Sequence, residues 1–170
     1  MKNLWLFLTS CLIAAPLLAE VPVYRDQELV LDEAVTISAA GAHYYSNVRF
    51  AMAQDGSLSL ISAEARPLAG VDAAELLLSG SSPVEVTLSA EGILSVPCVA
   101  LEDPAVSRKG NLFSVVLAET VQAEGEVCVT IAAVTPFQID IPLDVKGLTA
   151  GDYQVDINGI LLDFTLDTDN

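Results

Sequence analysis

The chain of 170 residues reads as an all-β protein, a β-sandwich preceded by a small β-rich N-terminal unit. Three observations carry that expectation. Apolar and polar residues alternate at a period of two through most of the sequence, which places successive side chains on opposite faces of a strand. Eight short apolar runs separated by turn residues follow one another over about 90 residues toward the C-terminus, the spacing of a sandwich. Finally, Asn158-Gly159 is flanked by matched apolar alternation and so specifies a hairpin in full.

Met1-Lys2-Asn3 and the apolar stretch 4–19 form a short positive segment, an apolar core and a small residue before Glu20, the pattern of a signal peptide over residues 1–19. The mature chain is therefore expected to be exported: periplasmic, at the cell surface or extracellular. A transmembrane anchor needs about 20 apolar residues, and Pro16 closes a shorter run, so no transmembrane segment is expected in the mature chain. Leu8-Thr9-Ser10-Cys11 loosely matches a lipoprotein processing box. Residues 12–19 would make an apolar start for a lipoprotein, however, and cleavage ranks above lipidation at Cys11.

Residues 20–69 form the N-terminal unit. Leu29 and Leu31, then residues 35–37, 45–52 and 58–61, read as strands. Ala39-Ala40-Gly41-Ala42 breaks the pattern, and Asp55-Gly56 turns the run ending at Met52 into the run beginning at Leu58. Tyr45, Asn47 and Val48 form a Tyr-x-Asn-Val motif that is similar to short β-rich modules of exported bacterial proteins. Pro67-Leu68-Ala69-Gly70 marks the boundary, since proline and glycine close together interrupt either periodicity.

Residues 70–170 supply the sandwich, with strands expected at 76–78, 83–88, 93–101, 112–117, 127–134, 137–143, 153–157 and 160–166. Ala73, Ala74 and Glu75 are good helix formers and also admit a helical turn over 72–78. Phe137, Ile139, Ile141 and Leu143 alternate with Gln138 and Asp140, and Pro142, lacking a backbone donor, makes that strand an edge or its end. In the last hairpin, a type I′ turn requires positive φ at Asn158 and Gly159. The two-residue loop then pairs Ile157 with Ile160, Val155 with Leu162, Tyr153 with Phe164, and Gln154 with Asp163. One face is apolar and the other acidic; Leu161, opposite Asp156, is either a lone exposed leucine or covered by another element.

Several of these residues carry a resemblance. Cys128, Pro136-Phe137, Ile141-Pro142-Leu143-Asp144-Val145, Gly147-Leu148, Ala150-Gly151, Tyr153, Val155, Asn158-Gly159 and Phe164-Thr165-Leu166-Asp167, with Pro83-Val84-Glu85-Val86, Cys98, Gly110-Asn111 and Phe113 upstream, resemble bacterial secreted or lipid-anchored proteins with a C-terminal immunoglobulin-like β-sandwich domain of unassigned activity. The resemblance covers roughly residues 76–170. It implies an immunoglobulin-like sandwich and an envelope setting, and carries no catalytic residue across.

Composition narrows the function classes. All 23 acidic residues follow Ala19 and six basic residues remain after cleavage, hence a formal charge of −17 on the mature chain. Phosphate backbones are repelled, so nucleic acid and bare anionic membrane are poor partners; an unknown protein or glycan is the expected one. Cys98 and Cys128 are the cysteines of the mature chain, an even count that implies one disulfide in an oxidising compartment. The alternation over 126–131 groups Val127, Val129 and Ile131 on one face and leaves Cys128 on the other, which places the bridge at the rim or outer surface rather than between the sheets. A Cys-x-x-Cys redox pair is missing.

Chemistry has few places to reside. His43, beside Tyr44-Tyr45, is the single histidine and reads as a surface or packing residue. With no nucleophile elbow and one histidine, hydrolysis is not expected, and outward carboxylates stay ionised and make poor general acids. Calcium suits them better, since it takes six to eight oxygens in flexible geometry; the best grouping is Asp163, Asp167 and Asp169 with Asn170. Arg108 and Lys109, before Gly110-Asn111 at a hairpin tip, form the one basic spot and a candidate contact for an acidic partner. Tyr24, Tyr44 and Tyr45 are candidates for an aromatic patch. The leading expectation is a non-enzymatic exported β-sandwich that mediates protein contacts, with no cofactor; the alternatives are a secreted protease inhibitor or a calcium-dependent carbohydrate or surface-binding module.

Overall fold

Period-two alternation becomes strand over most of the described residues. The computed structural model describes residues 22–38, 41–81, 83–121, 125, 127–128 and 134–170, and every regular element among them is a strand. In order these are β1 (Val23–Arg25), β2 (Glu28–Ser38), β3 (Gly41–Met52), β4 (Leu58–Arg66), β5 (Gly70–Ser79), β6 (Glu85–Leu94), β7 (Ala105–Lys109), β8 (Leu112–Val116), β9 (Thr135–Leu143), β10 (Gly151–Ile157) and β11 (Ile160–Leu166). The signal-peptide expectation falls on residues outside those described.

Seven strands build the sandwich. One sheet has the order β11-β10-β8-β7 and the other β5-β6-β9. Their inner faces meet in a core that includes Val86 and Leu88 of β6, Ile141 and Leu143 of β9, Phe113 and Val115 of β8, Val155 and Ile157 of β10, and Phe164 and Leu166 of β11. Phe113, Tyr153 and Phe164 cluster within it, with Tyr153 and Phe164 stacked at 5.3 Å between ring centroids. The Tyr153 hydroxyl donates to the Thr149 carbonyl at 2.8 Å, four residues upstream, an arrangement of the kind known as the tyrosine corner of immunoglobulin-like sandwiches. β8 and β10 run parallel. Their connection therefore crosses to the opposite sheet and back through β9, as parallel neighbours require.

The last hairpin has the expected register at every pair, from Ile157 opposite Ile160 to Tyr153 opposite Phe164. Asn158 and Gly159 have φ of 45° and 95°, and Leu161 stands exposed. Among the described residues β9 bonds to β6 alone, which puts Pro142 on an edge strand.

Elsewhere the structure corrects the sequence reading. The strands expected at 83–88 and 93–101 are one strand, β6, followed by irregular chain from Ser95 to Pro104. Gly92 is inside that strand because the space is taken: a Cβ there would lie 2.0 Å from the Gly70 carbonyl oxygen and 2.8 Å from the Phe137 ring. The helical option over 72–78 is not taken either, since ladder pairing of β5 with β6 overrides the propensity of two alanines. β7 is the first arm of the hairpin expected at Gly110-Asn111, although Ala-Val-Ser-Arg-Lys shows too little apolar alternation to mark a strand by itself. Of the strand expected at 127–134, residues 127 and 128 are not in a strand, and 129–133 lie outside the described residues.

The N-terminal unit is a single sheet of order β1-β2-β3-β4. Asp55-Gly56 makes the expected hairpin, with Met52 opposite Leu58 and the Asp55 carboxylate accepting from the Ser57 amide and hydroxyl. Those bonds hold the Asp55 carboxyl below its ordinary range. One face of β3 rests on the outside of the sandwich. Tyr44 packs with Val116 and Ala118, joined by Val35, Ala42 and Ala105. Val116 points away from the sandwich core between the inward Val115 and Leu117, and it is buried because the N-terminal sheet lies over it. The connecting segment is stitched on by Ala69 N–H to Leu117 O at 2.9 Å and Glu119 N–H to Pro67 O at 2.8 Å.

Candidate functional site

The residues singled out by sequence end up in three places. Cys98 and Cys128 are bridged, with Cα atoms 5.8 Å apart. Cys98 is exposed and Cys128 half-buried, so the bridge is a rim staple as expected. The reason differs from the one foreseen, because Val127 is 85% exposed and does not share a buried strand face.

Around this staple the irregular chain after β6 is fastened to the end of β8. Thr120 N–H bonds Ala100 O, Glu102 N–H bonds Ala118 O, and the Thr120 hydroxyl accepts from Ala100 N–H. Glu119, 1% exposed, is a buried carboxylate that sequence reasoning missed. Its Oε1 accepts from Ser95 N–H at 2.8 Å and its Oε2 from the Ser95 hydroxyl. A signal existed: Glu119 directly follows the apolar run Val115-Val116-Leu117-Ala118. The carboxylate fastens the chain after β6 to the end of β8, and no histidine takes part in these bonds.

Arg108 and Lys109 do not form one basic spot. As neighbours in a strand they point to opposite faces. Arg108 lies 5.9 Å above the Phe113 ring and donates to the Gly110 carbonyl at 2.8 Å, a packing role. Lys109, opposite Leu112, faces outward.

The aspartates part in the same way. Asp163 is on the outer face of β11, accepting from the Gln154 amide at 3.1 Å. Asp167 lies beyond the end of that strand, and the Asp169 carboxylate accepts from Ala150 N–H at 2.8 Å. The Asn170 amide is committed to Val84 and Val145. The grouping expected for calcium is not made, and among the described residues no three His, Cys, Asp or Glu side chains are placed to hold a metal ion. The aromatic patch is not made either, since Tyr44 is buried at the sheet junction, Tyr45 faces the other way beside His43, and Tyr24 is on β1.

What the fold does bring together is Lys109 and Asp163. With Asn111, Leu112, Asp152 and Gln154 they line a shallow, open groove on the outer face of the four-stranded sheet. Asn111 is fixed there by its amide bond to the Asp152 carbonyl at 2.9 Å. The groove offers amides, one cation and carboxylates, enough to hydrogen-bond a polar surface ligand but without a nucleophile paired to a base.

A second surface is apolar. On the N-terminal sheet Tyr24, Leu29, Phe50 and Leu60 are successive cross-strand partners and form a row across all four strands. Tyr24 is 55% and Leu60 60% exposed, with Val23, Ile37, Leu58 and Ile61 also exposed. Near its docked end, Tyr44 Oη, Ser46 Oγ and Arg66 Nε are buried with no hydrogen-bond partner among the described residues. Burial pushes the Tyr44 phenol well above its ordinary 10, and the carboxylates of Glu33, Glu102 and Asp103 push the same way. Arg66 Nε is 3.7 Å from Glu102, an ion pair that ties β4 to the loop before β7. Among the described residues no helix is long and apolar enough to cross a membrane.

No curated protein and no solved structure matches the chain. A family model does: residues 88–166, from within β6 to the end of β11, match the ORF11 beta-sandwich domain, a likeness confined to the sandwich.

Proposed function

We propose that the chain is an exported, non-enzymatic protein that makes protein contacts in or outside the bacterial envelope, the N-terminal sheet being its contact surface. The observation that carries this is the apolar row from Tyr24 to Leu60, extended on the same face by exposed Leu58. A contiguous apolar surface left in water on a folded unit marks an interaction site, whereas single exposed leucines need no explanation. Export is supported by the leader-like pattern of residues 1–19 and by a rim disulfide, which persists in oxidising compartments. Among the described residues no nucleophile paired to a base lines the groove, which supports a binding role.

Photo-crosslinking tests it with a built-in control. Leu60 and Leu161 are equally exposed, 60% and 58%, but Leu161 is solitary on the sandwich. A photoreactive residue at position 60, in protein exposed to envelope and medium fractions, should give discrete adducts that the same residue at position 161 does not. Equal labelling at both, or none at position 60, counts against the reading. So does turnover of any substrate that one point substitution abolishes.

A further inference from the structure

We propose that β4 accepts an extended, cationic segment of a partner protein as a fifth strand of the N-terminal sheet. The inference rests on the contact role above and gives it a geometry.

A strand at a sheet edge presents main-chain N–H and C=O groups that another strand can bond, and proteins blunt such edges with prolines, charges or short length. The edges of this molecule differ in that respect. β9 carries Pro136 and Pro142, β7 is five residues with Arg108 and Lys109, and β1 is three residues long. β5 carries Asp72 and Glu75 and a register irregularity near Val71. β11 carries Asp163 and is flanked by Asp167. β4 is nine residues, Leu-Ser-Leu-Ile-Ser-Ala-Glu-Ala-Arg, without proline, and every residue but Arg66 is exposed. Among the described residues it bonds to β3 alone. Its protection is a single acidic residue, Glu64, and two register irregularities, one between Ser46 and Arg49 and one where Phe50 pairs with Leu60 and Arg49 with Ser62, leaving Ile61 as the extra residue.

The occupant follows from pattern and charge. A strand added beside β4 continues the row Tyr24, Leu29, Phe50, Leu60 on one face, so its residues on that face are apolar and alternate with polar ones. The chain carries a formal charge of −16, which draws a basic segment and repels an acidic one or a second copy of itself. β4 itself is neutral, with Glu64 against Arg66, and places no local charge in the way.

The test uses the full chain and synthetic peptides. A peptide alternating valine and lysine, titrated by fluorescence anisotropy at low salt, should bind and slow amide hydrogen exchange over residues 58–66. A peptide alternating valine and glutamate should not, nor should a valine-lysine peptide with proline at alternate positions, which cannot complete the ladder. The doubly substituted variant Leu60→Lys, Ile61→Lys changes two exposed side chains and should bind the valine-lysine peptide about tenfold more weakly with the fold intact by circular dichroism. Binding without protection of residues 58–66 overturns the proposal, because it is charge attraction alone. Equal binding of the proline peptide overturns it, as does protection of β4 in peptide-free protein that sediments as a dimer. In each of these cases adducts at position 60 would still stand, so the contact reading and the strand reading fail separately.

Discussion

Leu88 and Leu60 are both leucines in the middle of antiparallel strands, yet Leu88 is fully buried and Leu60 is 60% exposed. Both strands are ladder-paired; what differs most is whether a second sheet lies opposite. β6 faces β8, β10 and β11 across a filled core, whereas the N-terminal sheet faces the sandwich through Tyr44 and its neighbours over part of one side. Hydrogen-bonded ladders make a sheet, but burial of apolar surface is what stabilises it, at roughly 1.5–3 kcal/mol for each large side chain enclosed. Stability in this chain is thus concentrated in the sandwich, while the N-terminal sheet keeps a surface to offer.

The sharpest way to break that comparison is Gly92→Ala. The added methyl has no free direction, with the Gly70 carbonyl oxygen 2.0 Å away and the Phe137 ring 2.8 Å away, so β5 and β9 must both move. A loss of about 3 kcal/mol or more is expected from such overpacking, read as a lower denaturant midpoint. Gly56, in the Asp55-Gly56 turn, has open space around its Cβ position. A near-native midpoint for Gly92→Ala would mean that the two sandwich edges are not held as closely as described.

Next in size is Asn158. Its amide donates to Ala69 O and Leu117 O, both at 2.9 Å, and its carbonyl oxygen accepts from Leu117 N–H at 3.1 Å, so one side chain pins the connecting segment and the end of β8 to the last hairpin. Asn158→Ala removes these bonds and forces alanine to hold a positive φ, for an expected loss of about 2–4 kcal/mol. Asn158→Gly relieves the backbone but not the bonds. It should fall between alanine and the parent in thermal melts, the gap of about 1 kcal/mol reporting the left-handed conformation. Identical melts for the two variants would show that the conformation costs nothing there.

Asn158 also shows what the sequence could and could not reveal. The Asn-Gly pair specified turn type, register and the buried face of β10 and β11, because those depend on residues three to eleven positions apart. The bonds to Ala69 and Leu117 span 89 and 41 residues and leave no local trace. Sites built from one strand's alternation misled for a related reason. Adjacent Arg108 and Lys109 looked like a patch, and adjacent Tyr44 and Tyr45 like another, but neighbours in a strand face apart. Asp163 and Asp167 were expected in one calcium grouping; the strand that carries Asp163 stops at Leu166. The groove joining Lys109 to Asp163 depends on the parallel pairing of β8 with β10, which no sequence period announces.

A smaller effect probes the junction between the two regions. The Tyr44 phenol is held neutral by burial, so the folded protein keeps its proton where the unfolded chain would release it. Its contribution is therefore intact below the ordinary tyrosine value of 10 and is lost as pH rises above it. The N-terminal sheet should detach in that range, seen as faster hydrogen exchange at Val116 and Ala118 while the core strands remain protected. Tyr44→Phe removes a hydroxyl that has no hydrogen-bond partner; it should cost less than about 1 kcal/mol at neutral pH and flatten the alkaline loss. An unchanged alkaline profile in the variant would assign the detachment to other groups.

The smallest expected change is the most informative about function. Leu60→Ser trades an exposed leucine for a polar residue in a strand that already contains two serines, and stability should shift by no more than about 0.5 kcal/mol. Leu88→Ala, by contrast, should cost about 2–5 kcal/mol. If Leu60→Ser proved as damaging as Leu88→Ala, the apolar row would be enclosed within the isolated protein and unable to serve as a contact surface. A neutral effect on stability combined with loss of crosslinked partner would separate the two roles of apolar residues in this chain: those of the sandwich hold it together, and those of the N-terminal sheet are kept in the open at no gain to the fold.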